Sequence, residues 1–176
     1  IEDCLDQLSL LAREKGPELV LDVRGGYGQS EVDQRRVRRI LLNFLGNAID
    51  HVEGRPIVTF VDSNEEALAI AVRDWGVGMN ETQARRVFDR FWRAAPSRQR
   101  TTGGTGLGLA IAQEDAIAHG GRIDVWSKAD EGTCFRLTIP RIPAGPWQIS
   151  PLLLPPESTN HDYSDSALAR ESREEG

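Results

Sequence analysis

Residues 41–51 of the 176-residue chain read Leu41-Leu42-Asn43-Phe44-Leu45-Gly46-Asn47-Ala48-Ile49-Asp50-His51. The apolar residues recur at intervals of three and four, which predicts a helix with one buried face. Asn43 and Asn47 lie four residues apart, so they share a face of that helix, inside its apolar stripe. Because a buried amide is costly without hydrogen-bond partners, something polar must meet this pair. A hydrated divalent cation bridging phosphates would do so, and hydrogen bonds to nearby backbone are the alternative.

A first glycine-rich turn follows a predicted strand and reads Asp74-Trp75-Gly76-Val77-Gly78. A carboxylate at the end of a strand can accept a hydrogen bond from an exocyclic amine, such as the 6-amino group of adenine. The two glycines allow the backbone to approach a flat base closely or to take a positive φ. A plain Asp-Gly turn without a ligand is the alternative.

A second glycine-rich turn opens a predicted helix and reads Gly103-Gly104-Thr105-Gly106-Leu107-Gly108-Leu109-Ala110-Ile111. Backbone N–H groups at the positive end of a helix are suited to hold phosphate. The turn is not a Walker loop, because no Lys-Ser/Thr follows, and its Gly-x-Gly-x-Gly spacing differs from the dinucleotide fingerprint. A glycine-rich hinge is the alternative.

An aromatic and basic run lies between the two turns and reads Val87-Phe88-Asp89-Arg90-Phe91-Trp92-Arg93. We expect its aromatic rings to pack in the core and to anchor one end of the next segment. Arg90 or Arg93 could reach phosphate oxygens, with plain surface arginines as the alternative. Residues 93–105 contain almost nothing apolar, so this segment is expected to be mobile.

The predicted elements alternate without a strict strand-helix-strand rhythm. Helices are predicted over residues 1–14, from a cap at Asp33 through residue 49, over 81–88 and over about 106–119, and strands over 18–23, 57–61, 67–72, 123–126 and 134–139. The hairpins favour a mixed sheet with three main helices on one face, a two-layer α/β sandwich. Residues 1–142 are predicted to form this domain. Residues 143–176, Pro-rich and then acidic, are predicted to be a mostly disordered tail in which Leu152-Leu153-Leu154 could dock on the domain.

Composition excludes several classes of function. The net charge is −6, and the acidity is concentrated from residue 157 onward, with six acids against two bases, so nucleic acid is not the expected partner. The two cysteines lie far apart without Cys/His grouping, which argues against a metal or disulfide framework. No apolar run approaches the roughly 18 residues that span a bilayer. The chain begins at Ile1 rather than Met, so a piece of a longer protein is expected.

The motifs together, in one order within about 65 residues, resemble the GHKL group of ATP-binding domains (gyrase, Hsp90, histidine kinase and MutL). The resemblance covers about residues 1–141, with Glu131-Gly132-Thr133 matching the turn before the last strand. It implies the Bergerat fold and is most similar to the histidine-kinase branch. The run from Phe91 through Asp115 resembles one actinobacterial subfamily of sensor kinases. The matching motif residues are Asn43, Asn47, Asp74, Gly76, Gly78, Phe88, Phe91, Gly104, Gly106 and Gly108.

The resemblance also implies ATP and Mg²⁺ as ligands and assigns residues to them. Asn47 matches the magnesium-binding asparagine, Asp74 the carboxylate that selects adenine, and His51 the position of a ring that packs on the base. The implied catalytic residues are Asn43, Asn47 and Arg90. The implied ATP-binding residues are Asn43, Asn47, Asp50, His51, Asp74, Gly76, Gly78, Met79, Phe91, Arg93, Gly104, Thr105, Gly106, Leu107, Gly108, Leu109 and Thr133.

One position separates the kinases from the ATPases of this group. The gyrase and MutL branches carry a water-activating glutamate one helical turn before the magnesium asparagine, and here that residue is Asn43, which cannot act as a base. The resemblance therefore implies phosphoryl transfer to a histidine on a dimerisation domain, in a homodimer, and then to a response regulator. An ATPase with ATP-gated dimerisation, and a binding module that has lost its nucleotide, are the alternatives.

The sequence departs from the pattern of the kinases at three points. No histidine is followed by Glu-Leu-Arg, so the phosphoacceptor is expected outside this chain. Asp50 stands where kinases often carry a lysine, and Trp75 replaces the commoner Asn or His of the first turn. The expected location is a cytoplasmic domain of a protein anchored in the plasma membrane.

Overall fold

A five-stranded mixed sheet with the order β1-β2-β3-β5-β4 forms the centre of the fold. The structure is a computed structural model that describes residues 1–25, 30–52, 54–94, 105–143 and 145–156. In chain order the elements are α1 (Glu2–Lys15), β1 (Leu19–Val23), α2 (Gln34–His51), β2 (Ile57–Ser63), β3 (Ala67–Asp74), α3 (Glu81–Arg86), α4 (Gly108–Ala118), β4 (Arg122–Lys128) and β5 (Gly132–Pro140). None of the described helices is long and apolar enough to cross a bilayer.

The strand pairing confirms the predicted mixed sheet. The pair β1–β2 is parallel, and the pairs β2–β3, β3–β5 and β4–β5 are antiparallel. The register of β3 and β5 sets Asp74 opposite Thr133. The Asp of the first glycine-rich turn is therefore placed beside the start of the last strand.

Helix α2 lies at the centre of the helical layer. Its N-cap is Asp33, as expected, and the Asp33 carboxylate accepts from the N–H groups of Arg35 at 3.0 Å and Arg36 at 3.4 Å. Phe44 stacks on Phe135 of β5 with 5.2 Å between the ring centroids. Burying a side chain of this size contributes roughly 2–3 kcal/mol. The buried residues of α2 are those of the predicted stripe: Val37, Ile40, Leu41, Phe44, Leu45, Ala48 and Ile49.

Helix α4 is joined to α2 by a buried carboxylate. Asp115, 3% exposed, receives two hydrogen bonds of 2.6 Å from the guanidinium of Arg39 on α2. A bidentate pair of this kind fixes orientation as well as distance. It therefore holds the second half of α4 against the first half of α2.

The face of the sheet opposite the helices is covered by residues 145–156, which we call the C-terminal strap. Leu152 is 3% exposed in a cluster with Val58 and Phe60, whereas Leu153 is 62% exposed. The strap is held by Arg136, which donates to the Leu152 carbonyl at 2.5 Å, and by Trp147, which donates to the Gly120 carbonyl at 3.0 Å. The docking suggested for residues 152–154 is thus seen at Leu152. The boundary at 142 and the disordered tail remain predictions, and residues 157–176 lie outside the described residues.

Two helices differ from their predicted bounds for local reasons. Helix α3 has a capping box between Asn80 and Gln83 but ends at Arg86, two residues earlier than predicted. Helix α4 begins at Gly108 rather than Gly106, because Gly106 has a φ of +70°, which no α-helix contains. The mobility expected for residues 93–105 concerns mainly residues 95–104, which lie outside the described residues.

Candidate active site

A cavity of about 520 Å³ opens between α2, the turn after β3 and the start of α4. Its walls bring together residues that are far apart in the sequence. The lining residues predicted from the sequence are Asn43, Asn47, Asp50, His51, Asp74, Gly78, Met79, Arg93, Thr105, Gly106, Gly108, Leu109 and Thr133. The lining residues that were not predicted are Val77, Gln83, Val87, Trp92, Ala94 and Phe135.

The polar row of α2 forms one wall of the cavity. Asn43 donates from Nδ2 to the carbonyl of Arg39 at 2.9 Å, so one half of its amide is satisfied by backbone. Its Oδ1 faces Gly108 so closely that a Cβ on Gly108 would lie 2.2 Å from it. Only glycine allows α4 to begin this near to Asn43. The hydrogen bond to backbone, one of the two alternatives that the sequence left open, is therefore present for Asn43. This bond orients the amide oxygen toward the second glycine-rich turn.

Asp74 lies at the opposite end of the cavity and is 4% exposed. Its Oδ1 accepts from the backbone N–H groups of Gly76 at 2.9 Å and Thr133 at 3.3 Å. Both bonds end on the same oxygen, which leaves Oδ2 to accept from a ligand. Burial raises the pKa of Asp74 to about 6, although the two backbone hydrogen bonds and the charge of Arg73 lower it.

Ser127 of β4 fixes the turn that follows Asp74, and the sequence did not single it out. Its Oγ accepts from the N–H of Met79 at 2.8 Å, donates to the Gly132 carbonyl at 3.1 Å and lies 2.9 Å from the Thr133 hydroxyl. The alternation of residues along β4 could have indicated Ser127, because it places Ser127 on the same face of the strand as Ile123 and Val125. In the turn itself Gly78 has a φ of +61°, which agrees with the positive φ that a glycine at this position permits.

The start of α4 supplies the third wall. Its N-cap is Leu107, which has no side-chain cap, so the N–H groups of the first turn are not bonded by a capping side chain. Thr105 and Gly106 line the cavity just before the helix. Uncapped N–H groups at the positive end of an eleven-residue helix favour an anionic ligand there. Gly104, assigned to the same turn, lies outside the described residues.

Phe91 and Gly106 join the two ends of the segment between the aromatic run and the second turn. The N–H of Phe91 donates to the Gly106 carbonyl at 2.9 Å, and we call this contact the clasp. Phe91 has a φ of +63° and is 72% exposed, which differs from the expectation that the aromatics of the run pack in the core. Phe88 and Trp92 do pack against the core.

The two arginines of the aromatic run point to different places. Arg93 lines the cavity. Arg90 is paired with Glu114 of α4 and is not among the residues that line the cavity in the described part of the chain. Of the other predicted residues, Gly76, Phe91 and Leu107 belong to the supporting turns rather than to the walls.

Two of the unpredicted lining residues lie in regular elements, and the other four lie in the turn after β3 or between α3 and residue 94. Phe135 follows Thr133 by two residues on β5, so strand alternation places both on the cavity side. Gln83 belongs to the capping box of α3. Val87 and Trp92 lie in the aromatic run, whose rings the sequence predicts to pack in the core rather than to line a cavity.

The oxygen atoms that line the cavity suit a divalent cation that would be coordinated mainly by a phosphate ligand and only partly by the protein. The amide oxygens of Asn43 and Asn47 are hard donors of the kind that Mg²⁺ accepts beside phosphates and water. Among the described residues no group of three or more His, Cys, Asp or Glu side chains could hold a metal ion. A cation here would therefore need phosphate oxygens to complete its coordination.

The chain belongs to an established family of ATP-binding domains. Residues 32–143 match the family described as histidine kinase-, DNA gyrase B-, and HSP90-like ATPase. The resemblance stated from the motifs is thereby confirmed.

Within that family the relatives are sensor histidine kinases, and this domain is a histidine-kinase catalytic domain. The sensor histidine kinase MtrB of Mycobacterium tuberculosis is 46% identical over 156 residues, 89% of this chain and 28% of MtrB. The sensor histidine kinase WalK of Bacillus subtilis is 43% identical over 115 residues, 62% of this chain and 18% of WalK. The chain therefore spans a minor part of these relatives, and the similarity to an actinobacterial subfamily is confirmed.

Solved structures show the same fold. Full-length ShkA in complex with AMPPNP has a TM-score of 0.72 and 26% identity, covering 99% of this chain and 37% of ShkA. The catalytic domain of the histidine kinase ThkA has a TM-score of 0.70 and 22% identity, covering 81% of this chain and 90% of that domain. The likeness to ThkA concerns the fold alone.

Proposed function

We propose that this domain binds Mg-ATP and transfers the γ-phosphate to a histidine on a dimerisation domain outside this sequence. In the homodimer of the longer protein the phosphate would then pass to an aspartate of a response regulator. The observation that carries the kinase assignment is Asn43, held in the cavity wall by its bond to the Arg39 carbonyl. A hydrolase of this family would need a carboxylate at that point to activate water.

The adenine end of the proposed complex lies at Asp74. Its Oδ2 would accept from the 6-amino group of adenine, while Gly76 and Thr133 hold Oδ1. The proposed contacts of the base and ribose are completed by His51, Gly78, Met79 and Phe91, while Asp50 lies one turn beyond Asn47 on the wall formed by α2.

The phosphate end lies at the start of α4. The uncapped N–H groups of its first turn would receive the phosphates. Asn47, with Asn43 beside it, would hold Mg²⁺, which would supply positive charge against the negative charge of the phosphates. The proposed phosphate contacts are completed by Arg93, Gly104, Thr105, Gly106, Leu107, Gly108 and Leu109.

The residues of the site would act by positioning and charge rather than by proton transfer. An amide at position 43 takes no proton from water at neutral pH, so bound ATP would persist until a better nucleophile arrives. The imidazole of the incoming histidine would form the P–N bond as the bond from the γ-phosphorus to the bridging oxygen breaks, and ADP would leave. A catalytic role for Arg90 requires its guanidinium to exchange Glu114 for phosphate.

The experiment that tests this proposal is autophosphorylation of the full-length protein with labelled ATP. We expect acid-labile phosphohistidine that disappears in Asn47→Ala and Asp74→Ala. Calorimetry of residues 1–176 with ATP and Mg²⁺ should show weaker binding for both variants. A full-length protein that binds ATP without forming phosphohistidine would contradict the kinase assignment, and steady-state hydrolysis that collapses on replacing Asn43 would support the ATPase.

The proposed setting is a cytoplasmic domain of a protein anchored in the plasma membrane. The support is that the relatives are sensor histidine kinases of which this chain matches a fraction, 28% of MtrB. The partners in that setting are ATP, the histidine-bearing domain of the same protein and a cognate response regulator.

A further inference from the structure

Asp50 places a carboxylate in the wall of a cavity that is otherwise suited to phosphates. It continues the row of Asn43 and Asn47 and lies in the last turn of α2. The negative end of a helix dipole makes that position unfavourable for an acid. Among the described lining residues the acids are Asp50 and Asp74 and the one arginine is Arg93, so the wall carries no surplus of positive charge.

Lys15 of α1 meets this carboxylate from outside the cavity. Its Nζ lies 2.5 Å from Asp50 Oδ1, with side chains 34% and 26% exposed. The approach is set by the backbone, because the C-cap of α1, Gly16, lies against Gly54 just after α2, and a Cβ on Gly16 would be 3.8 Å from the Gly54 Cα. Lys15 occupies the last turn of α1, where the helix dipole favours a cation.

This contact comes from a part of the chain that the family match does not include. Residues 32–143 match the family, and α1 precedes them. Lys15 does not line the cavity in the described part of the chain, so its effect on a ligand would pass through Asp50.

We propose that Lys15 is a positioning residue of the nucleotide site, which holds the Asp50 carboxylate and neutralises it so that a polyphosphate can bind beside Asn47. The proposal rests on the proposed function, since it presupposes that the cavity binds ATP. Without the ammonium, the carboxylate would repel the phosphates. Because Coulomb repulsion grows with the charge of the ligand, ATP should be affected most, ADP less and adenosine not at all.

The test is the affinity of residues 1–176 for ATP, ADP and adenosine in the presence of Mg²⁺. For Lys15→Met we expect ATP binding to weaken about tenfold, ADP binding to weaken less and adenosine binding to stay unchanged. Lys15→Arg should restore the affinity for ATP. Arg13→Met is the matched control, because Arg13 is an exposed cation in the same turn of α1 and its loss changes the net charge equally; ATP affinity should not change.

A double variant shows whether Lys15 acts by neutralising Asp50 or by contacting the ligand itself. Asp50→Asn in the Lys15→Met background should recover most of the ATP affinity. The proposal would be overturned if the double variant bound ATP as weakly as Lys15→Met does. It would also be overturned if Lys15→Met bound ATP as tightly as the unsubstituted chain, or if it lost affinity for ATP and adenosine equally. If the unsubstituted chain did not bind ATP, the proposed function would fail first, whatever Lys15 does.

Discussion

At Asp74 two opposing effects set the charge of the carboxyl group. Burial disfavours the ionised form, and the N–H groups of Gly76 and Thr133 favour it. Burial dominates, so the pKa is raised from 3.8 to about 6. The folded domain therefore holds a proton at mildly acidic pH that the unfolded chain releases.

The stability of the ligand-free domain should reflect this proton. Between about pH 4 and 6 the native state binds more protons at Asp74 than the unfolded state does, so the free energy of unfolding falls as the pH rises. This stabilisation is complete below the pKa of Asp74 in the unfolded chain and is lost as the pH rises through the pKa of Asp74 in the folded domain. A shift of this size corresponds to a total loss of roughly 3 kcal/mol in the free energy of unfolding. Urea unfolding between pH 4 and 7 measures it.

The control for this titration is Asp74→Asn, which keeps the shape and an acceptor oxygen. It should remove this part of the pH dependence, so that the difference in stability between the two proteins changes with pH. A difference that stays constant from pH 4 to 7 would mean that Asp74 is not the group responsible.

The residues of the site were predictable where they lie within one element. Asn43 and Asn47 share a helical face by their spacing, and both line the cavity. Ser127 and Lys15 were not predictable in their roles, because each meets the site through a contact between elements distant in the chain. Spacing along one element gives the face on which a residue lies, as for Ser127 on β4, but not the partner that it contacts in another element.

The helices followed their sequence signals except where backbone conformation intervened. The buried stripe and the Asp33 cap of α2 agree with the prediction, because hydrophobic spacing and capping are local properties. Helix α4 begins two residues later than the sequence predicts, because Gly106 has a φ of +70° and its carbonyl accepts from Phe91 rather than from a residue of the helix.

The junction of α2 and α4 gives a prediction at the level of elements. In Gly108→Ala the new Cβ would meet Asn43 Oδ1, and moving that amide breaks its 2.9 Å bond to Arg39. We expect a loss of about 1 kcal/mol in the free energy of unfolding, together with weaker ATP binding. Chemical unfolding and calorimetry measure the two effects.

Gly46 provides the matched substitution in the same pair of helices. A Cβ on Gly46 meets nothing within 4 Å, so Gly46→Ala should stabilise the domain by about 0.5–1 kcal/mol through helix propensity alone. If Gly108→Ala raised stability as much as Gly46→Ala, the close contact with Asn43 would not constrain the junction.

For the whole molecule, the sheet has two covered faces rather than one. The mixed sheet and its helical layer were predictable from hairpins and amphipathic helices. The C-terminal strap was only suggested by three leucines, because a segment without periodicity gives no signal of the face it covers. Its anchoring by Arg136 depends on the completed sheet.

The strap should contribute substantially to stability. Leu152→Ala removes a side chain that is 3% exposed against the sheet and should cost about 2–4 kcal/mol. Leu153→Ala, next to it and 62% exposed, should change stability by less than about 0.5 kcal/mol. Urea unfolding of the two variants measures the two changes in the free energy of unfolding. Changes that were equally small would show that the strap does not stabilise the sheet.

The clasp between Phe91 and Gly106 also bears on how this family can vary. Since it joins the two ends of the intervening segment at one point, residues inserted between them leave the anchoring positions where they are. The entropy of closing a loop grows only with the logarithm of its length, by about 0.6 kcal/mol per doubling. Insertions and deletions should therefore accumulate in this segment during evolution, while Phe91 and Gly106 keep their separation in space.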